Sequence, residues 1–118
     1  MPKASIVNTS EAYQQMLAHL AEQDTIAIDT ESNSLHAYHE RVCVIQLSSP
    51  TADFLLDPFV FTDLNALGEL FARSDIQKVF HAGDYDIGCL KRDFGFRFHN
   101  LFDTLIAATA LAEPNLGF

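Results

Sequence analysis

Val42-Cys43-Val44-Ile45-Gln46-Leu47 is apolar almost throughout, and no other segment constrains the fold as tightly. A strand with one wet face alternates apolar and polar side chains, whereas a strand buried on both faces reads as a continuous apolar run. This run therefore predicts an interior strand, covered above and below. Thr25-Ile26-Ala27-Ile28 predicts a second strand over 25–29, and residues 53–56 and 78–81 predict two more. Between them lie helical patterns. Asn8 and Glu11 are spaced as a capping box ahead of a face made by Tyr13, Met16, Leu17 and Leu20. Thr62 or Asp63 caps a helix whose Leu64, Leu67, Leu70 and Phe71 face the core. Ala82-Gly83 reads as a turn into a helix over 84–94, stopped by Gly95, and Asp103 as the N-cap of a last helix over 104–111. A three-strand meander followed by alternating helix and strand predicts an α/β layer fold, a mixed sheet flanked by helices.

With 118 residues and 48% hydrophobic content, the chain reads as one domain with a core of its own. Lys+Arg 7 against Asp+Glu 16 gives a net charge of −9. That balance argues against nucleic acid as a partner unless cations intervene. Cys43 and Cys89 sit among apolar neighbours at no metal-like spacing and read as reduced core thiols. No apolar run follows the N-terminus and none approaches a membrane span, so the reading is a cytoplasmic chain with no signal peptide and no membrane partner.

The chemistry concentrates at Asp29-Thr30-Glu31. In a strand, carboxylates at i and i+2 share one face of the sheet, where they repel and raise each other's pKa. A divalent cation between them relieves that repulsion. A second acidic cluster follows the fourth predicted strand, at His81-Ala82-Gly83-Asp84-Tyr85-Asp86. Asp86 and Leu90 are four apart on a helix, so a core-facing Leu90 turns Asp86 inward. Asp84 suits helix capping and dipole complementation. Three converging carboxylates at Asp29, Glu31 and Asp86 describe a hard-cation site for Mg²⁺ or Mn²⁺ rather than a zinc site.

Asp29-x-Glu31, His81-x4-Asp86-x3-Leu90 and Phe102-Asp103-Thr104, taken in order, resemble the 3′–5′ exonucleases of the DEDD superfamily, above all ribonuclease D and the related nuclear-exosome exonuclease. Lys78-Val79-Phe80-His81-Ala82-Gly83, Asp93-Phe94-Gly95 and Val44-Ile45-Gln46-Leu47-Ser48 read as text of the same group. The resemblance implies a ribonuclease H-like fold and hydrolysis of the 3′-terminal phosphodiester with two divalent cations, Mg²⁺ or Mn²⁺. It implies that Asp29, Glu31 and Asp86 are the catalytic and metal-holding residues. Thr30, Leu35 and His81 become substrate-binding candidates: the Thr30 backbone at the terminal ribose, Leu35 against the terminal base, His81 on a phosphate or sugar. Leu35 reads equally as a loop anchor, and Asp103 as a helix cap ahead of a ligand. The implied partner is the single-stranded 3′ end of RNA, with tRNA precursors as substrates, or of DNA.

One element of the family pattern is missing. The fourth carboxylate, in a Tyr-x3-Asp or His-x4-Asp motif, has no counterpart here: Tyr13 is followed by Leu17 at that spacing, Tyr38 by Val42 and Tyr85 by Cys89. The expectation is that residues 1–118 are the N-terminal part of a longer exonuclease domain, incomplete at the C-terminus. Alone the chain is expected to be inactive and to self-associate through an exposed apolar face. A non-catalytic nuclease-fold binding module is the alternative.

Overall fold

A computed structural model describes residues 4–33 and 41–112. The elements run β1 (Ser5–Val7), α1 (Ser10–Ala21), β2 (Thr25–Ser32), β3 (Val42–Ser48), β4 (Asp53–Leu56), a 3-10 turn (Pro58–Val60), α2 (Asn65–Ala72), β5 (Gln77–Phe80), α3 (Asp84–Phe94), β6 (Leu101–Asp103) and α4 (Thr104–Ala112). Six strands form one mixed sheet in the order β1-β4-β3-β2-β5-β6. The meander β2-β3-β4 is antiparallel, and β1, β5 and β6 join it in parallel. Every strand but β3 therefore points its carboxyl end the same way, towards the end of the sheet where the acidic triplet lies.

The two edge strands escape the sequence pattern because three residues are too few to show a period. Residues 25–29 predict only the first half of β2, which runs on through Asp29-Thr30-Glu31 to Ser32. The acidic triplet is thus inside a paired strand, with Asp29 opposite Gln46 and Glu31 opposite Val44. At α1 the cap is Thr9 rather than Asn8. Thr9 is extended and its hydroxyl accepts from the Ala12 N–H at 3.1 Å, so the Asn8–Glu11 box does not form. Leu64 precedes α2 without a side-chain cap, while Asp63 Oδ1 accepts from Asn65 N at 2.8 Å. Gly95 ends α3 in the left-handed conformation, φ 70°, which a glycine adopts without a Cβ penalty.

The core lies on one side of the sheet. Val7, Ile26, Ile28, Ile45, Leu47, Phe54, Leu56 and Phe80 join Met16, Leu20, Leu67, Phe71 and Leu90 from the first three helices in a single cluster. Lys78 is fully buried in β5; its ammonium donates to the backbone carbonyls of Ile76 (2.6 Å) and Arg73, and burial lowers its pKa. The other sheet face carries Ala27, Asp29, Glu31, Gln46 and Phe102, all exposed, and Val44, Leu55 and Val79, half-buried. The prediction that β3 is buried on both faces therefore holds for one. Its apolar composition is that of a two-sided strand, yet among the described residues no helix buries its second face. Helix α4 is apolar all round and buries none of the side chains described on it, with Ile106 61% and Leu111 84% exposed. Cys89 is buried and Cys43 half-buried, and the two do not form a disulfide.

Candidate active site at the carboxyl end of the sheet

Asp29 and Glu31 project from the open face of β2, as their spacing predicts, and both are exposed. Thr30 between them points to the covered face, the side on which Ile26 and Ile28 are buried. There its hydroxyl donates to Oδ1 of Asp86, in the first turns of α3. The Thr30 N–H donates to Oδ1 of Asp29 at 2.9 Å. One residue thus touches both carboxylates. Leu90 is fully buried and Asp86, one turn earlier on the same side, is half-buried, as the i, i+4 argument requires. Burial holds the Asp86 carboxyl above its ordinary pKa, and the nearby Asp29 charge pushes the same way; the Thr30 hydrogen bond opposes both.

The donor set is all oxygen, which suits a hard divalent cation, and the Asp29 charge lies close enough to Asp86 to be felt by its carboxyl. Among the described residues, however, no group of three or more His, Cys, Asp or Glu side chains stands close enough to hold a metal ion. Asp29 and Glu31 share a face, and Asp86 approaches from the helix side. The convergence of all three reaches as far as the Asp29–Asp86 pair.

The turn that delivers Asp86 is built by Ala82 and Gly83 and held by Asp103. Ala82 has φ 53°, a left-handed conformation that costs roughly 1–2 kcal/mol for a residue with a Cβ. Its N–H donates to Asp103 Oδ1 at 3.0 Å and that of Gly83 to Asp103 Oδ2 at 2.7 Å. The same carboxylate accepts from Leu105 N (2.9 Å) and Ile106 N (3.3 Å), capping α4. Asp103 is therefore a clamp between two turns. Its backbone donors, Gly83 first, hold its pKa below the usual carboxylate range. The capping expectation is met; as a ligand Asp103 is spoken for by four N–H groups. Gly83 is sterically required, since a Cβ there would lie 2.3 Å from Phe80 Cβ.

His81 is exposed, and its Nδ1 lies 2.8 Å from the Thr104 hydroxyl, which also reaches the Phe80 carbonyl at 3.3 Å. His81, Thr104, Asp29, Ala27, Gln46 and Val79 line an open cavity of about 440 Å³ on the uncovered face. Gln46 and Thr104 are site-lining residues that sequence reasoning missed. Pairing register identifies Gln46 once β2 and β3 are aligned, because it sits opposite Asp29. Leu35 lies outside the described residues. Their flanks are tied: Asn33 N donates to the Arg41 carbonyl (3.1 Å), Arg41 N to Asn33 Oδ1 (3.0 Å), and Val42 N to Asp93 Oδ2 on α3 (2.8 Å).

The fold is shared with known proteins. The exosome complex exonuclease RRP6 of Saccharomyces cerevisiae is 37% identical over 109 residues, 92% of this chain and 15% of that protein. The crystallised catalytic core of RRP6 from Trypanosoma brucei superposes with a TM-score of 0.87 at 33% identity, over 93% of this chain and 31% of that one. RNase D of Escherichia coli, an exoribonuclease involved in structured RNA processing, gives a TM-score of 0.83 at 25% identity, over 99% of this chain and 34% of that one. The chain spans about a third or less of the length of these relatives. The fold is theirs, and the family model described as 3′-5′ exonuclease matches residues 4–117. The chain therefore belongs to the 3′-5′ exonuclease family, with RRP6 and RNase D among its relatives.

Proposed function

We propose that this chain is the sheet-and-helix part of a metal-dependent 3′–5′ exoribonuclease that removes nucleotides from the single-stranded 3′ end of RNA, structured RNAs such as tRNA precursors included. The observation that carries this reading is the bridge through Thr30, which brings carboxylates from β2 and α3 together at the end of the sheet. In this reading Asp29, Glu31 and Asp86 hold two cations, Mg²⁺ or Mn²⁺. When bound, such a pair supplies a lowered water pKa and neutralises charge on the leaving oxygen. It also answers the net charge of −9, since cations add positive charge where phosphate must sit.

The chain's own residues do the rest. The open cavity is within the roughly 300–1,000 Å³ range of small-ligand clefts and takes the terminal nucleotide beside Asp29. Apolar Ala27 and Val79 form its floor, and Gln46, Ser48 and His81 supply polar contacts. Few base-specific groups face it, so sequence-tolerant recognition follows. The test uses the longer protein that contains this chain. With Mn²⁺ present it should shorten 5′-labelled single-stranded RNA stepwise from the 3′ end, and Asp29→Asn should abolish release. Equal release by Asp29→Asn refutes the reading. A non-catalytic nuclease-fold module is favoured by one observation, the lack of a three-carboxylate cluster among the described residues. Asp29→Asn with Glu31→Gln separates the two, since the module keeps its binding and gains stability as the repulsion disappears.

A further inference from the structure

Resting on the exonuclease reading, we propose that Phe59 and Arg41 form a second nucleotide subsite beside the carboxylates: Phe59 stacks on a base a few positions upstream of the 3′ end, and Arg41 holds an adjacent phosphate. The Arg41 guanidinium lies 5.0 Å from the centroid of the Phe59 ring. Arg41 is exposed, and Phe59 keeps 51% of its surface open even with Arg41 laid on it. An exposed phenylalanine by itself needs no explanation. A planar cation stacked on one does, because the pair is a platform of the kind that single-stranded bases stack on.

Both halves of the platform are fixed to the sheet. The Asp57 N–H donates to the Val7 carbonyl at 3.1 Å, Asp57 Oδ1 accepts from Phe59 N at 3.0 Å, and Pro58 between them is buried. Arg41 exchanges backbone hydrogen bonds with Asn33, two residues beyond Glu31, and while Val42 turns into the core Arg41 turns out. Phe59 follows β4, which lies two strands from β2. At the usual strand spacing that is about 10 Å, a distance that a stacked single strand covers in about three nucleotides. A strand whose 3′ end sits beside Asp29 therefore reaches Phe59 within its first few nucleotides. Charge points to the same ligand. Among the described residues Arg41 makes no ion pair, whereas Arg73 and Arg92 are paired with Asp75 and Asp93 and Lys78 is buried. Its guanidinium has donors to spare in a chain of net charge −9, and a phosphate takes them two at a time.

The test uses the longer protein with Mn²⁺ and two single-stranded RNAs, a dinucleotide and a hexanucleotide. The dinucleotide is too short to reach Phe59, so the unsubstituted protein should show a KM about tenfold lower for the hexanucleotide, the order one base–aromatic stack supplies. Phe59→Leu keeps an apolar side chain without a ring and should erase that preference by raising the hexanucleotide KM. Phe59→Trp should keep or enlarge it. Arg41→Ala should flatten the salt dependence of hexanucleotide binding by one phosphate, a change of roughly 0.7 in the log–log slope. An unchanged slope overturns the role given to Arg41. A length preference that survives Phe59→Leu, or that the unsubstituted protein lacks, overturns the subsite and leaves the exonuclease reading standing. Absence of release from either strand by the unsubstituted protein overturns both.

Discussion

The two faces of the sheet have opposite characters. On the covered face Ile26, Ile45, Leu47 and Leu56 are fully buried and close-packed against three helices. One residue along each strand, Ala27, Gln46 and Asp29 are exposed around an open cavity. Alternation of side chains along a strand lets neighbours in sequence serve different ends. The packed core lies on one side and the candidate site on the other, and Thr30 is where they meet: it stands on the packed face, yet both its backbone and its hydroxyl engage carboxylates of the candidate site. A site built this way can hold groups that repel each other, because a packed face that does not depend on them keeps the backbone in place.

The contrast is sharpest for adjacent residues of β3. Leu47→Ala should lower unfolding free energy by about 2–5 kcal/mol, whereas Gln46→Ala beside it should stay within about 0.5 kcal/mol, both read by urea denaturation. Equal effects would remove the distinction between the faces. Gly83→Ala should cost about 1–3 kcal/mol by overpacking, since the new methyl overlaps Phe80 Cβ. The same change should weaken Mn²⁺ binding, because the turn that carries Asp86 must shift. Thr30→Val removes the hydroxyl at constant shape and should cost about 1 kcal/mol. Thr30→Ser should recover most of that loss.

The smallest effect is in pH dependence. Asp86 binds its proton more tightly folded than unfolded, because burial and the Asp29 charge raise its pKa. Between the unfolded and folded values the native state holds the extra proton, so stability falls as pH rises through that window. Asp103 behaves oppositely: its pKa is lowered by backbone donors, and its contribution, present above the unfolded value, is lost as pH falls through the folded one. In the metal-free chain Asp86→Asn should remove the first slope and raise the melting temperature near neutral pH. Asp103→Asn should flatten the acid limb. Thermal melts across pH read both, and a lower neutral melting temperature for Asp86→Asn would contradict the assigned burial of that charge.

Much of this was legible in the residues, because it rests on periodicity. The buried faces of α1 and α2, the start and glycine stop of α3, the β2-β3-β4 meander and the inward turn of Asp86 all follow from spacing. What stayed hidden depends on long-range contacts or on backbone strain. Three-residue edge strands leave no period, and the left-handed Ala82 carries no mark in its identity. The Asp103 clamp joins turns twenty residues apart. The apolar run in β3 misled in an informative way: it encodes a strand covered twice, while the described residues cover it once. The Thr30–Asp86 bridge was invisible because it needs α3 packed against the interior strand β2, with the two residues fifty-six apart in the chain.

In the proposed reading, Asp29, Glu31 and Asp86 form a cation site at the carboxyl end of the sheet. Titrating the isotope-labelled chain with Mn²⁺ and following paramagnetic loss of backbone amide signals tests it most directly. The signals of Asp29, Thr30, Glu31 and Asp86 should vanish first and together, and Asp29→Asn should abolish the response. Broadening centred on other acidic residues, such as Asp53, Asp57 or Asp63, or a response unchanged in Asp29→Asn, would contradict it.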